Sequence, residues 1–167
     1  MLEVAVGTGL TFVEILEANP SGRAEGVDLT AAMLSRAERK AARTGNQHYR
    51  LRVGDAYELD FPGDSFDVVV NNYMFDLLPE RDFPTVLDEF KRVLRPGGRL
   101  ALVNMTQGAR WYNGIWDRLY RMNPALLGGC RGVSLAPLLQ QAGFRQTTRD
   151  YCSQFTFPSE VVFGIAT

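Results

Sequence analysis

The sequence predicts a doubly wound α/β fold around a mostly parallel sheet, on three observations. Short apolar runs alternate with stretches of helical periodicity, the order that builds a parallel sheet. The first run breaks off in Gly7-Thr8-Gly9 just before a helical stretch. The last two runs stand close together with no helix between them, as in a hairpin.

Each element has its own local signal. Leu2 to Val6 reads as a strand, and Leu10, Phe12, Val13 and Leu16 fall at helical spacing until Asn19-Pro20-Ser21-Gly22 stops them. Arg23 to Asp28 is a second strand. Thr30 is placed to cap a helix through Arg43, with Ala31, Leu34, Ala37 and Ala41 on one face and Gly45 beyond its end. Tyr49 to Val53 is the third strand, Ala56 to Ser65 a loop, and Phe66 to Asn71 the fourth strand. The next helix spans Arg81 to Leu94. Pro96-Gly97-Gly98 separates it from a fifth strand, Arg99 to Asn104. After an insert at about 105–133, a short helix runs from Ser134 to Gln141, and Phe144 to Tyr151 and Glu160 to Ala166 are strands. No repeat, linker or low-complexity tract divides the chain, so residues 1–167 are expected to form one domain.

Composition narrows the function. With 18 basic and 19 acidic residues the net charge is -1, so the broad positive field that nucleic-acid binding needs is lacking. Cys130 and Cys152 are the only cysteines and His48 the only histidine, a set that assembles no metal site, and His48 reads as a surface turn residue. Two thiols and an N-terminus without a secretory pattern point to the cytoplasm.

In an open α/β sheet, ligands bind outside the carboxyl ends of the strands. Those ends here carry Gly7-Thr8-Gly9, Asp28, Gly54-Asp55 and Asn71-Asn72. Gly7 and Gly9 lack the Cβ atoms that would hold a ligand off the backbone, and the amides opening the next helix can face a carboxylate. Asp28 comes 19 positions after Gly9, where an acid can accept hydrogen bonds from ribose hydroxyls. Asp55 can accept from an adenine amino group, and Asn71 can hold an ammonium. Taken singly, Asp28 and Asp55 are equally well read as turn or capping carboxylates. Together they describe an adenosine site. A dinucleotide site would have a third glycine where Phe12 stands, which argues against NAD(P) without excluding an NAD(P)-dependent oxidoreductase.

With these residues in place, the chain resembles the class I methyltransferases, particularly the group that includes ubiquinone and menaquinone biosynthesis enzymes. The resemblance lies in the segments Met1 to Gly9, Gly54 to Ala56, Leu59 to Val70 and Leu94 to Leu100. It implies a Rossmann-like seven-stranded sheet of order 3-2-1-4-5-7-6 with the last strand antiparallel, and S-adenosylmethionine as cofactor. It further implies that Glu3, Ala5, Gly7, Thr8 and Gly9 surround the methionine end, Asp28 and Leu29 the ribose, and Asp55 and Ala56 the adenine, with Asn71 bordering the methyl group. Two departures stand out. Ala5 replaces the first glycine of the family's pattern. Met1 falls inside the first strand, whereas relatives have an N-terminal helical segment over the cofactor, so a more exposed cleft and weaker activity are expected.

Methyl transfer from a sulfonium needs mainly alignment of the two reactants, and a base only if the acceptor must lose a proton. Tyr73 and Asp76 follow the fourth strand and are the candidate catalytic residues; a packed aromatic and a helix N-terminal carboxylate are the other roles open to them. In the insert, Tyr112, Ile115, Trp116 and Leu119 mark one helical face, while Arg110, Arg118, Arg121 and Arg131 outnumber the single acid Asp117. That segment is either a core-facing helix or a cover for a hydrophobic acceptor bearing an anionic group, with transient membrane-surface contact as a further role. Cys130 reads as a turn thiol. The expected function is methyl transfer to a small-molecule acceptor, quinone-like or lipid-like; the departures at Met1 and Ala5 also leave open a non-catalytic, cofactor-binding remnant.

Overall fold

The computed structural model describes residues 1–106, 132–154 and 157–167. Strands β1 (Leu2–Val4), β2 (Ala24–Asp28), β3 (Tyr49–Val53), β4 (Phe66–Asn72), β5 (Leu94–Met105), β6 (Arg145–Gln154) and β7 (Phe157–Ile165) form one sheet of order β3-β2-β1-β4-β5-β7-β6. The first five run parallel, and β7 lies antiparallel to both β5 and β6. This is the expected order, including the terminal hairpin.

Helices α1 (Leu10–Ala18) and α2 (Ala31–Ala41) close one face, packing Phe12, Ile15, Leu16, Ala37 and Ala41 around Val6 and Ala24. Helices α3 (Phe83–Val93) and α4 (Ala136–Gln141) close the other, where Val86, Leu87, Phe90 and Leu139 meet Leu2, Val69, Leu100 and Leu102. Each fully buried Leu or Phe contributes about 1.5–3 kcal/mol, so these two layers hold the strand tips in register.

Four local expectations shift. Thr30 precedes α2 but makes no side-chain cap; its hydroxyl donates to Asp28 Oδ1 instead. The helix expected from Arg81 begins as a 3₁₀ turn, Glu80–Asp82, because Pro84 suits only the first turn of the α-helix proper. Pro96-Gly97-Gly98 does not precede β5 but lies within it. Phe66 pairs with Leu94 and Val68 with Arg99, and the extra residues bulge out with Gly97 at φ 79°. The helix expected from Ser134 starts at Ala136, since the Leu135 amide donates to the Glu160 carboxylate. Tyr112, Ile115, Trp116, Leu119, Cys130 and the insert's arginines lie outside the described residues.

Candidate functional site: a cleft at the carboxyl ends of β1 to β4

The first β-to-α corner is built by backbone that leaves the strand in left-handed conformations. Ala5, Gly7 and Gly9 have φ of 60°, 56° and 80°. A Cβ built on Gly7 meets nothing within 4 Å, so space lies open in front of it. Gly9 is different. Its Cβ would come 2.7 Å from Cα and Cβ of Ala37, so its missing side chain makes room for α2. Thr8 also turns toward α2, where Lys40 Nζ lies 3.3 Å from its hydroxyl.

Asp28, at the tip of β2, reaches across to this corner. Its Oδ2 accepts from the Gly7 amide at 2.8 Å, and its Oδ1 accepts from the Thr30 amide at 2.9 Å and the Thr30 hydroxyl at 3.0 Å. The carboxylate points at the corner, as a ribose ligand would require. A carboxylate oxygen has two lone pairs, so Oδ2 keeps capacity for a further donor.

Beside the corner opens a cleft of about 150 Å³ whose wall includes Ala5, Asp28, Leu29, Asp55 and Ala56, five of the residues expected there. Asp55 accepts from the Tyr57 amide at 3.0 Å, which fixes the turn after β3. Tyr57, Met74 and Leu78 complete its apolar side and were missed from the sequence. They belong to two loops remote from the glycine corner along the chain, and only the parallel order of β1, β3 and β4 brings them together.

Two further expected residues are buried in the sheet on opposite faces, since Glu3 pairs with Val70 and Val4 with Asn71. Glu3 on β1 is 2% exposed; Asn72 Nδ2 stands 3.4 Å from its Oε1, and Oε2 has no hydrogen-bond partner. Burial, opposed by the Asn72 hydrogen bond and reinforced by the Asp28 charge, pushes the Glu3 carboxyl up to about 8. Asn71 on β4 is fully buried and donates to the Val4 carbonyl at 2.8 Å, while its Oδ1 has no hydrogen-bond partner. Each unsatisfied buried group costs about 1–3 kcal/mol.

On the far side of β4, Tyr73 adopts φ 50° and its hydroxyl lies 2.9 Å from Ser159 Oγ on β7. Asp76 is fully buried in the turn before α3. Neither is in the wall of the cleft. Glu160 on β7, also fully buried, accepts from the Leu135 amide at 2.9 Å and the Thr106 hydroxyl at 3.1 Å, and pairs with Arg149. This ties together the two chain segments that flank the insert.

Known proteins resemble this chain in sequence and in fold. The chain is 33% identical over 150 residues to an arsenite methyltransferase of Halobacterium salinarum, covering 86% of this chain and 37% of that protein. It is 39% identical over 109 residues to a ubiquinone/menaquinone biosynthesis C-methyltransferase of Paracoccus denitrificans, covering 64% and 42%. The chain thus spans about two fifths of the length of these relatives. A crystal structure of magnesium protoporphyrin IX methyltransferase from Synechocystis shares the fold, with a TM-score of 0.79 at 14% identity, over 99% of this chain and 73% of that one. A family model described as a methyltransferase domain matches residues 1–98. That span carries the glycine corner, Asp28, the loop after β3 and the tip of β4, and through it the chain belongs to the methyltransferase domain family.

Proposed function

We propose that residues 1–167 act as one domain that transfers a methyl group from S-adenosylmethionine to a quinone-like or lipid-like small molecule. The observation that carries this reading is the Asp28 carboxylate joined to the Gly7 amide beside a stretch of corner backbone open to a ligand. The residues fit the cofactor. Open space over Gly7 admits the close approach of its methionine portion, and Asp28 suits its ribose. Asp55, Ala56 and Leu29 line an apolar slot suited to adenine. Glu3 Oε2 is an acceptor suited to a cationic end, and Asn71 Oδ1 is a second acceptor on the opposite face of the sheet.

When bound, S-adenosylmethionine supplies a methyl group on a positively charged sulfur. The chain's own part is alignment: the corner and Asp28 fix one reactant, and the tips of β4 and β5 present the other. We assign Asp76 and Tyr73 to that acceptor side, where Asp76 would orient the acceptor or take its proton and Tyr73 would hold Ser159 in place. A quinone-like or lipid-like acceptor is supported by relatives named for demethylmenaquinone and phosphatidylethanolamine. Membrane-surface contact would rest on the insert; no helix among the described residues is long and apolar enough to cross a membrane. A cytoplasmic setting is supported by the free thiol of Cys152.

The competing dinucleotide reading is disfavoured by Phe12, which is fully buried against the Tyr49 ring and occupies the place of the third glycine. Calorimetric titration with S-adenosylmethionine and with NAD separates the two. Binding of the first alone is expected, and binding of NAD alone would overturn the proposal. Release of S-adenosylhomocysteine on adding a reduced naphthoquinone distinguishes an enzyme from a binding remnant.

A further inference from the structure

The groups assigned to the cofactor occupy successive strand tips: Asp55 after β3, Asp28 on β2, Gly7 after β1 and Asn71 on β4. In the sheet order the next tip belongs to β5, one strand spacing of about 4.8 Å further on. It carries Asn104. The side chain is fully buried, and neither Oδ1 nor Nδ2 has a hydrogen-bond partner.

The register defines its neighbours. Asn71 pairs with Leu102, so Asn104 stands two residues beyond it on the same face of the sheet. Asn104 pairs directly with Glu160 on β7. Glu160 is equally buried but has donors from Leu135, Thr106 and Arg149. Leu100 and Leu102 precede Asn104 on that face, and a third leucine would continue the apolar row without a polar group to satisfy. A carboxamide with four unused hydrogen-bonding positions is the costly choice at this site, and native proteins keep few such groups without a role.

We propose that Asn104 is a specificity-determining residue that binds the methyl acceptor. Its carboxamide offers a donor and an acceptor side by side, so it takes a molecule with the same pair on adjacent atoms: a vicinal diol or a hydroxyl next to a carbonyl. A neutral acceptor suits this place, because Glu160 is already matched by Arg149 and the pair leaves no net charge to meet an ionic group. The inference rests on the methyl-transfer reading above and names the substrate class of that site.

The test uses catechol, whose adjacent hydroxyls supply the pair, and its dimethyl ether, which lacks the donors. Both are titrated into the wild-type protein and Asn104→Leu with S-adenosylhomocysteine present. Wild type is expected to bind catechol and discriminate against the ether. In Asn104→Leu catechol binding falls about tenfold, the worth of two ordinary hydrogen bonds, while S-adenosylhomocysteine affinity holds within about twofold and the melting temperature rises. Asn104→Ala, which cannot overpack, is to show the same loss of catechol. Equal catechol binding by wild type and variants, or no discrimination by wild type, overturns the role of Asn104. Failure of wild type to bind S-adenosylhomocysteine overturns the methyl-transfer reading instead, and is read before any catechol is added.

Discussion

The Gly7 amide donates to Asp28 Oδ2 over 2.8 Å, so the acid at the tip of β2 is also a structural strut of the corner after β1. Cofactor binding and local stability are therefore coupled through one carboxylate. In Asp28→Asn the side-chain amide must turn its NH₂ toward either the Gly7 or the Thr30 amide, both donors. A loss of about 1–3 kcal/mol is expected, read as a melting temperature lower by about 2–4 °C per kcal/mol. Affinity for S-adenosylmethionine should fall at least about tenfold. A melting shift with unchanged affinity would confine Asp28 to the strut.

Gly7 and Gly9 are expected to separate when each is replaced by alanine. Gly9→Ala places a methyl group against Ala37 at a left-handed φ of 80°, so strain and overpacking add to about 2–5 kcal/mol. Gly7→Ala meets no atom, and only the conformational cost of about 1–2 kcal/mol applies. Its larger effect is on cofactor affinity, because the new methyl group enters the open space. Denaturant unfolding and calorimetry on the two variants check the contrast; equal affinity loss in both would contradict it.

Ala5 holds a left-handed φ of 60° that glycine adopts without penalty. Ala5→Gly removes about 1–2 kcal/mol of strain and gives back about 0.5–1 kcal/mol through the freer unfolded chain. A net gain of up to about 1.5 kcal/mol is expected, with tighter S-adenosylmethionine binding because Ala5 is in the cleft wall. A lower melting temperature in the variant would contradict the strain argument.

The alternation of strands and helices was legible because periods 2 and 3.6 are local, whereas the sheet order came from the resemblance to the class I methyltransferases. What was not legible depends on contacts between distant segments. Gly9 looks like Gly7 in sequence, and only α2 folding back onto it assigns the two different roles. Pro96-Gly97-Gly98 has the composition of a boundary, yet pairing of Leu94 with Phe66 carries the strand through it. Asn104 did leave a signal. It breaks the apolar row of Leu100 and Leu102 at a strand tip, the place where a polar residue on a buried face is least explained by packing.

Glu3 makes both stability and cofactor binding depend on pH. Its carboxyl is raised by burial to about 8 from an ordinary value of 4.5. Between those values the folded chain holds a proton that the unfolded chain has released. The contribution is therefore complete below about pH 4.5 and is lost as pH rises toward 8. Glu3→Gln should flatten stability across this window. S-adenosylmethionine carries positive charge, and a cation near Glu3 favours the carboxylate. Binding at pH 7 is then expected to expel about one proton, and affinity to climb between pH 6 and 8. Titrations in phosphate and Tris, whose ionisation enthalpies differ, should give different heats for the wild type and matching heats for Glu3→Gln. Identical wild-type heats in the two buffers would place the cationic end of the cofactor away from Glu3.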